Sequence, residues 1–82
     1  MKTVLIIGAG GVGRVVTHKT AQNRGVFEKI VLASRTLSKC EKIASEIDSE
    51  IITDIVDADI TDEVVKLIRK HNPNIVINVA LP

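Results

Sequence analysis

Thr3-Val4-Leu5-Ile6-Ile7-Gly8-Ala9-Gly10-Gly11-Val12-Gly13 is the stretch that decides the fold. Its first half is a short, β-branched, almost unbroken apolar run, the composition of a parallel strand covered on both faces. The run enters a GxGxxG pattern directly, and a helix is expected to begin inside the glycines. In that context the glycines divide the work: Gly8 permits the tight turn, Gly10 lets the backbone approach a pyrophosphate, and Gly13 lets the helix pack close to the strand. The free N–H groups of the first helical turn and the helix dipole then face the anion. Gly8, Gly10, Gly11, Val12 and Gly13 are therefore the expected pyrophosphate-binding residues of a dinucleotide site.

The second strand of such a unit is read at Lys29 to Ser34. An NAD site would place an acidic residue at its end, about 20 residues past the glycines, to accept the ribose hydroxyls. The segment instead reads Val31-Leu32-Ala33-Ser34-Arg35-Thr36, a cation flanked by two hydroxyls. A 2′-phosphate carries close to two negative charges, and the planar fork of Arg35 matches its oxygens in a way that a lysine only approximates. With no carboxylate there to repel the phosphate, Ser34, Arg35 and Thr36 are the expected selectors of NADP(H).

The remainder of the 82-residue chain continues the alternation of strand and helix that marks a parallel sheet with crossover helices. Strands are expected at 3–8, 29–34, 51–56 and 74–79, and helices at 11–24, 37–48 and 62–71. The expected fold is α/β, a Rossmann-type doubly wound parallel sheet of four strands in the order 3-2-1-4. Ser38 with Glu41 has the spacing of a capping box, Thr61 or Asp59 is placed to begin the third helix, Gly25 to close the first, and Pro73 to stop the third. Val64, Leu67, Ile68 and His71 form the third helix's buried stripe. The single cysteine, Cys40, shares an apolar helix face with Leu37, Ile43, Ala44 and Ile47 and reads as a packing residue.

The order 3-2-1-4 brings the carboxyl ends of strands one and four together at the switch point where a ligand binds. Asn78 is thus expected to hold a ribose or nicotinamide-side group, with the small Ala80 leaving room. Asp59, just after the third strand, has two readings: a hydrogen bond from the adenine amino group, or the N-cap of the next helix. Asp57 is less well placed. His71 sits at a helix C-terminus, where a capping or packing role is favoured. His18, Lys39, Lys42, Lys66, Arg69 and Lys70 read as helix surface. The sequence shows no metal-ligand cluster, and the absence of tyrosine excludes a short-chain dehydrogenase mechanism.

A net charge of +1, with 26% charged residues of both signs interleaved, offers no basic face for nucleic acid or a membrane surface. No run has the length of a membrane span, and Met1-Lys2-Thr3 leading straight into a strand is not a signal peptide. A cytoplasmic location is expected. Strand four, apolar to its end, would form an exposed edge through which two copies pair as a homodimer.

Taken together, Ile6 to Gly13, Ala33-Ser34-Arg35-Thr36-Leu37, Asp59-Ile60-Thr61-Asp62 and Ile75-Val76-Ile77-Asn78-Val79-Ala80-Leu81-Pro82 resemble the amino-terminal cofactor domain of the saccharopine dehydrogenase family. The resemblance covers essentially the whole chain. It implies an NADPH-dependent reductase that condenses an amine with an aldehyde, aspartate semialdehyde in the polyamine branch, and reduces the imine to a secondary amine. It also implies that the amine and aldehyde substrates are held by a further domain beyond Pro82, so no catalytic residue is named within this chain. Shikimate dehydrogenase and glutamyl-tRNA reductase share a glycine turn followed by an Arg-Thr segment, but their cofactor domains follow an amino-terminal substrate domain. Adenylating domains share the glycine turn but usually carry an acid where Arg35 stands; channel-associated nucleotide sensors share the fold, and the Arg35 site weakens that reading.

Overall fold

The strand at Thr3 is apolar on both faces because both faces are covered. The computed structural model describes residues 2–23 and 25–80. Among them the elements are β1 (Thr3–Ile7), α1 (Gly11–Gln22), β2 (Lys29–Ser34), α2 (Leu37–Ser45), β3 (Ile52–Ile55), α3 (Thr61–His71) and β4 (Ile75–Asn78). The strands form one parallel sheet in the order β3-β2-β1-β4, as the sequence predicts. Val4 and Ile6 point to one face, where they pack with Ile30, Leu32, Cys40 and Ile43. Leu5 and Ile7 point to the other, with Val31, Ala33, Val56 and Leu67. Every one of these side chains is at most 4% exposed. Fully burying one large aliphatic side chain stabilises the fold by about 1.5–3 kcal/mol, so β1 and β2 anchor the molecule.

Helix boundaries depart from expectation where the chain uses backbone rather than side-chain caps. The N-cap of α2 is Thr36, with no side-chain hydrogen bond, so the Ser38–Glu41 capping box does not form and Ser38 lies inside the helix. The N-cap of α3 is Ile60, again without a side-chain bond, which overturns both Thr61 and Asp59 as caps. Asp57 and Glu63 shape that entry instead: Asp57 Oδ1 accepts the Asp59 N–H at 3.0 Å, and Glu63 Oε1 accepts the Asp57 N–H at 3.1 Å. Helix α1 ends at Gln22 with Asn23 as its C-cap, so Gly25 does not close it; the predicted end at Arg24 lies outside the described residues, as do Leu81 and Pro82. Helix α2 ends at Ser45, three residues early, and Leu37 is 40% exposed rather than part of the apolar face. The C-cap of α3 is Asn72 in the left-handed region (φ 45°), with its N–H bonded to the Ile68 carbonyl just before Pro73.

Two polar clasps fix helices to their neighbours. Glu46, at the C-cap of α2, accepts from Arg14 Nε at 2.8 Å and lies 2.9 Å from His18 Nε2, tying α2 to α1. These bonds hold the Glu46 carboxyl below the usual range. In β3, Asp54 Oδ2 accepts from Lys70 Nζ at 2.9 Å and from His71 Nε2 at 2.7 Å, tying the sheet edge to the end of α3. His71, only 7% exposed, is thus both a packing residue of the predicted stripe and a carboxylate partner.

Partial burial acts to raise the Asp54 carboxyl, but the hydrogen bonds from Lys70 and His71 outweigh it and bring it from 3.8 to about 2. A carboxyl depressed on folding contributes stability that is complete above its unfolded value and is lost as pH falls through the folded one. With the exposed Lys70 discounted for solvent screening, that contribution is about 1–2 kcal/mol. Urea unfolding at pH 4.5 and pH 2 is therefore expected to show wild type losing about that much more stability than Asp54→Asn; equal losses would mean the clasp does not hold in solution.

Candidate functional site

The carboxyl ends of β1, β2 and β4 converge because consecutive segments are bonded across the sheet. The Gly8 N–H donates to the Ala33 carbonyl at 2.8 Å, and the Val79 N–H donates to the Ile7 carbonyl at 2.8 Å. The turn after β1 therefore lies between the Arg35 loop and the segment after β4. Gly8 has φ 121°, and a Cβ there would come within 2.8 Å of the Ala80 nitrogen. Gly13 is buried with its Cα against Gly8, and a Cβ would fall well inside contact distance of the Gly8 carbonyl. The fold itself requires both of these glycines.

Gly10 and Gly11 are different. A Cβ on either meets nothing within 4 Å, and Gly10 has an ordinary extended backbone (φ −81°, ψ −165°). Nothing in the protein demands glycine at these two positions. They border a groove of about 310 Å³ lined by Gly8 to Val12, Ser34 to Thr36, Lys39, Val79 and Ala80. Into this groove α1 presents an N-terminus with no side-chain cap and no acid in its first turn. Helix α2 begins in the same way, whereas α3, away from the groove, carries Asp62 and Glu63. Free N–H groups, a helix dipole and an absence of carboxylates suit a phosphate chain. A dinucleotide fits these residues, and the open space over Gly10 and Gly11 is what it needs.

The predicted site residues are largely brought together. Arg35 and Thr36 line the groove, and Arg35 makes no ion pair with a described residue. Ser34 lines it too, but its hydroxyl is engaged with Thr36 and Cys40. Asp59 lines a smaller adjoining recess of about 50 Å³ with Arg35, Val56 and Ala80, and the loss of its capping role leaves its carboxylate to that recess. Ala80 lines both spaces. Asn78 lines neither: its Oδ1 accepts the Ala80 N–H at 3.0 Å, shaping the turn after β4.

Sequence reasoning missed Lys39, assigned to solvated helix surface. It lines the groove from the first turn of α2, and that place in the turn that directly follows the Arg35 loop is the signal that would have found it. A wider cleft of about 480 Å³ lies on the other flank of the glycine turn, bounded by Arg14, Lys42 and Glu46. Its larger volume does not make it the phosphate site, because Glu46 places a carboxylate there and already holds Arg14. Among the described residues no group of three or more His, Cys, Asp or Glu is arranged to hold a metal ion, and no helix is long and apolar enough to cross a membrane.

Residues 4–82 match the family model of the saccharopine dehydrogenase NADP binding domain. A carboxyaminopropylagmatine dehydrogenase of Synechocystis sp. is 47% identical over all of this chain, and a carboxynorspermidine synthase of Vibrio alginolyticus is 44% identical over 96% of it. The chain spans about 21% of the length of each relative. Protein Rv1636 of Mycobacterium tuberculosis H37Rv, a solved structure, matches with a TM-score of 0.65 over 94% of this chain and 69% of that one; at 16% identity this is a likeness of fold. A glycine turn open to phosphate, a cation in place of the ribose acid, and a family match over nearly every residue agree: the chain belongs to the saccharopine dehydrogenase family, as an NADP-binding domain whose cofactor is NADP(H).

Proposed function

We propose that this chain is the cofactor domain of a longer, cytoplasmic, imine-reducing oxidoreductase acting on CH–NH bonds, of the carboxynorspermidine or carboxyspermidine dehydrogenase type in polyamine biosynthesis. The observation that carries the reading is the acid-free groove that pairs uncapped helix N-termini with Arg35 and Lys39. The names of relatives at 44–47% identity support the substrate class. In the reaction, an amine condenses with an aldehyde, water leaves, and the imine takes a hydride from NADPH and a proton to become a secondary amine.

Within this chain, the backbone of Gly10, Gly11 and Val12 takes the pyrophosphate, and Arg35, Thr36 and Lys39 take the 2′-phosphate. Asp59 accepts from the adenine amino group, while Asn78 and Ala80 lie toward the nicotinamide side. Substrate and catalytic residues belong to the rest of the parent enzyme, so the 82 residues alone bind cofactor without turning over substrate.

One hydrogen bond to a charged group contributes about 1.5–3 kcal/mol, which at about 1.4 kcal/mol per decade is a preference for NADPH over NADH of about tenfold to a hundredfold. Calorimetric titration of the chain with NADPH, NADH and ATP is expected to show that preference, and Arg35→Ala to abolish it; equal or tighter binding of NADH or ATP by wild type would sink the assignment. In Gly10→Ala, binding of both nicotinamide cofactors is expected to fall at least tenfold with the urea midpoint unchanged. Gly13→Ala is expected to lose about 1–3 kcal/mol of stability through overpacking. Loss of stability in Gly10→Ala would place that glycine in the fold instead of the site.

The edge of β4 is free of charge and proline, with Ile75 and Val76 about 40% exposed. Two copies related by a two-fold axis would pair these edges antiparallel, and this is the proposed homodimer contact. Sedimentation is expected to show dimer at high concentration; a clean monomer there contradicts it.

A further inference from the structure

The turn that presents Arg35 is braced from behind by a hydroxyl and a thiol. Ser34 Oγ donates to the Thr36 carbonyl at 3.0 Å and accepts the Thr36 N–H at 3.2 Å, closing a loop around Arg35. It accepts a third bond, from Cys40 Sγ, at 3.2 Å. A hydroxyl has one proton to give and two lone pairs to fill. All three are used inside the protein, so the Ser34 hydroxyl has no capacity left for a phosphate.

Cys40 is the outer end of this relay. It is fully buried on the sheet-facing side of α2, six residues after Ser34, and its other polar neighbour, the Asp54 carbonyl, is more distant at 3.9 Å. Burial pushes the thiol above its ordinary value, so at neutral pH it remains a protonated donor. A simple packing role explains its burial but not its distance from Ser34. Without the S–H, one lone pair of Ser34 is unfilled beside the core, and the hydroxyl is held by its two bonds to Thr36 alone, with no tie to α2.

We propose that Cys40, acting through Ser34, is a positioning residue for NADP selectivity: the Cys40–Ser34–Thr36 relay fixes the turn so that Arg35 and Thr36 face a 2′-phosphate, while Ser34 itself does not touch that phosphate. This rests on the reading that the Arg35 turn binds the 2′-phosphate. It moves Ser34 from the ligand set to the support behind it. NADH lacks the phosphate and is indifferent to the turn, so the relay acts on the ratio of the two affinities and not on dinucleotide binding as such.

The test is calorimetric titration of the 82-residue chain and its variants with NADPH and NADH. A neutral hydrogen bond of about 0.5–1.5 kcal/mol corresponds to about twofold to tenfold in affinity. Cys40→Ala is expected to reduce the NADPH-to-NADH preference by that factor with NADH affinity unchanged, and Cys40→Ser, which keeps a donor, to restore it. Ser34→Ala is expected to lose at least as much, and adding Cys40→Ala to it to cost nothing further, since the two act as one unit. An unchanged preference in Cys40→Ala, equal weakening of both cofactors, or a Cys40→Ser no better than Cys40→Ala overturns the proposal. Should Cys40→Ala not fold, Ser34→Ala alone decides: an unchanged preference overturns the proposal. A preference abolished by Arg35→Ala but untouched by the Cys40 and Ser34 variants removes the relay alone, whereas a wild type without preference removes the Arg35 reading and the relay with it.

Discussion

The approach of Gly13 to the carbonyl of Gly8, which leaves no room for a Cβ, is the constraint on which the rest depends. A helix can begin immediately after β1 only if its first turn lies on the strand's end with no side chain between them. That proximity aims the free N–H groups of α1 along the line of the strand and into the groove. It also forces Gly8 into a positive φ, where a side chain would collide with the backbone at Ala80. Strand, turn, helix and the segment after β4 are thus locked by two absent side chains.

Around that contact the protein keeps two helix N-termini unsatisfied by its own side chains. A side-chain N-cap typically contributes about 1 kcal/mol, and neither α1 nor α2 has one. Burial on both faces of β1 and β2 offsets the deficit, and the clasps at Glu46 and Asp54 hold the helices where capping does not. Helix α3 lacks a side-chain cap as well, and what sets α1 and α2 apart is a first turn without an acid at the edge of the groove. Membership of the saccharopine dehydrogenase family accounts for this pattern and sets aside the adenylating and sensor readings.

The Arg35 turn shows a division of labour that residue types alone conceal. Ser34, Arg35 and Thr36 are adjacent and all suited to phosphate, yet the hydroxyl of Ser34 is turned inward to Thr36 and Cys40. Lys39, in the first turn of α2, supplies the second cation at the groove. The loop is a presented charge on a hydrogen-bonded frame, and the frame reaches into the core between β2, α2 and β3.

The sequence by itself determined the sheet, its order and the glycine turn. Those follow from short-range periodicity and from φ and steric demands that only particular residues meet, as the run Val4 to Ile7 and the pair Gly8 and Gly13 illustrate. The place of Arg35 at the groove was equally legible, because the carboxyl end of β2 opens beside the glycine turn. Caps were misread at Ser38, Asp59 and Thr61, since several residues within a turn have capping side chains and tertiary contacts choose among them. Glu63 reaches Asp57 rather than its own helix end, and this leaves Asp59 to the recess. Lys39 at the groove, Asn78 spent on the turn after β4, and Cys40 behind Ser34 were decided only by the tertiary structure. Each depends on how α2 or β4 is rotated against the sheet, a quantity set by packing across the whole core and not by any local stretch of chain.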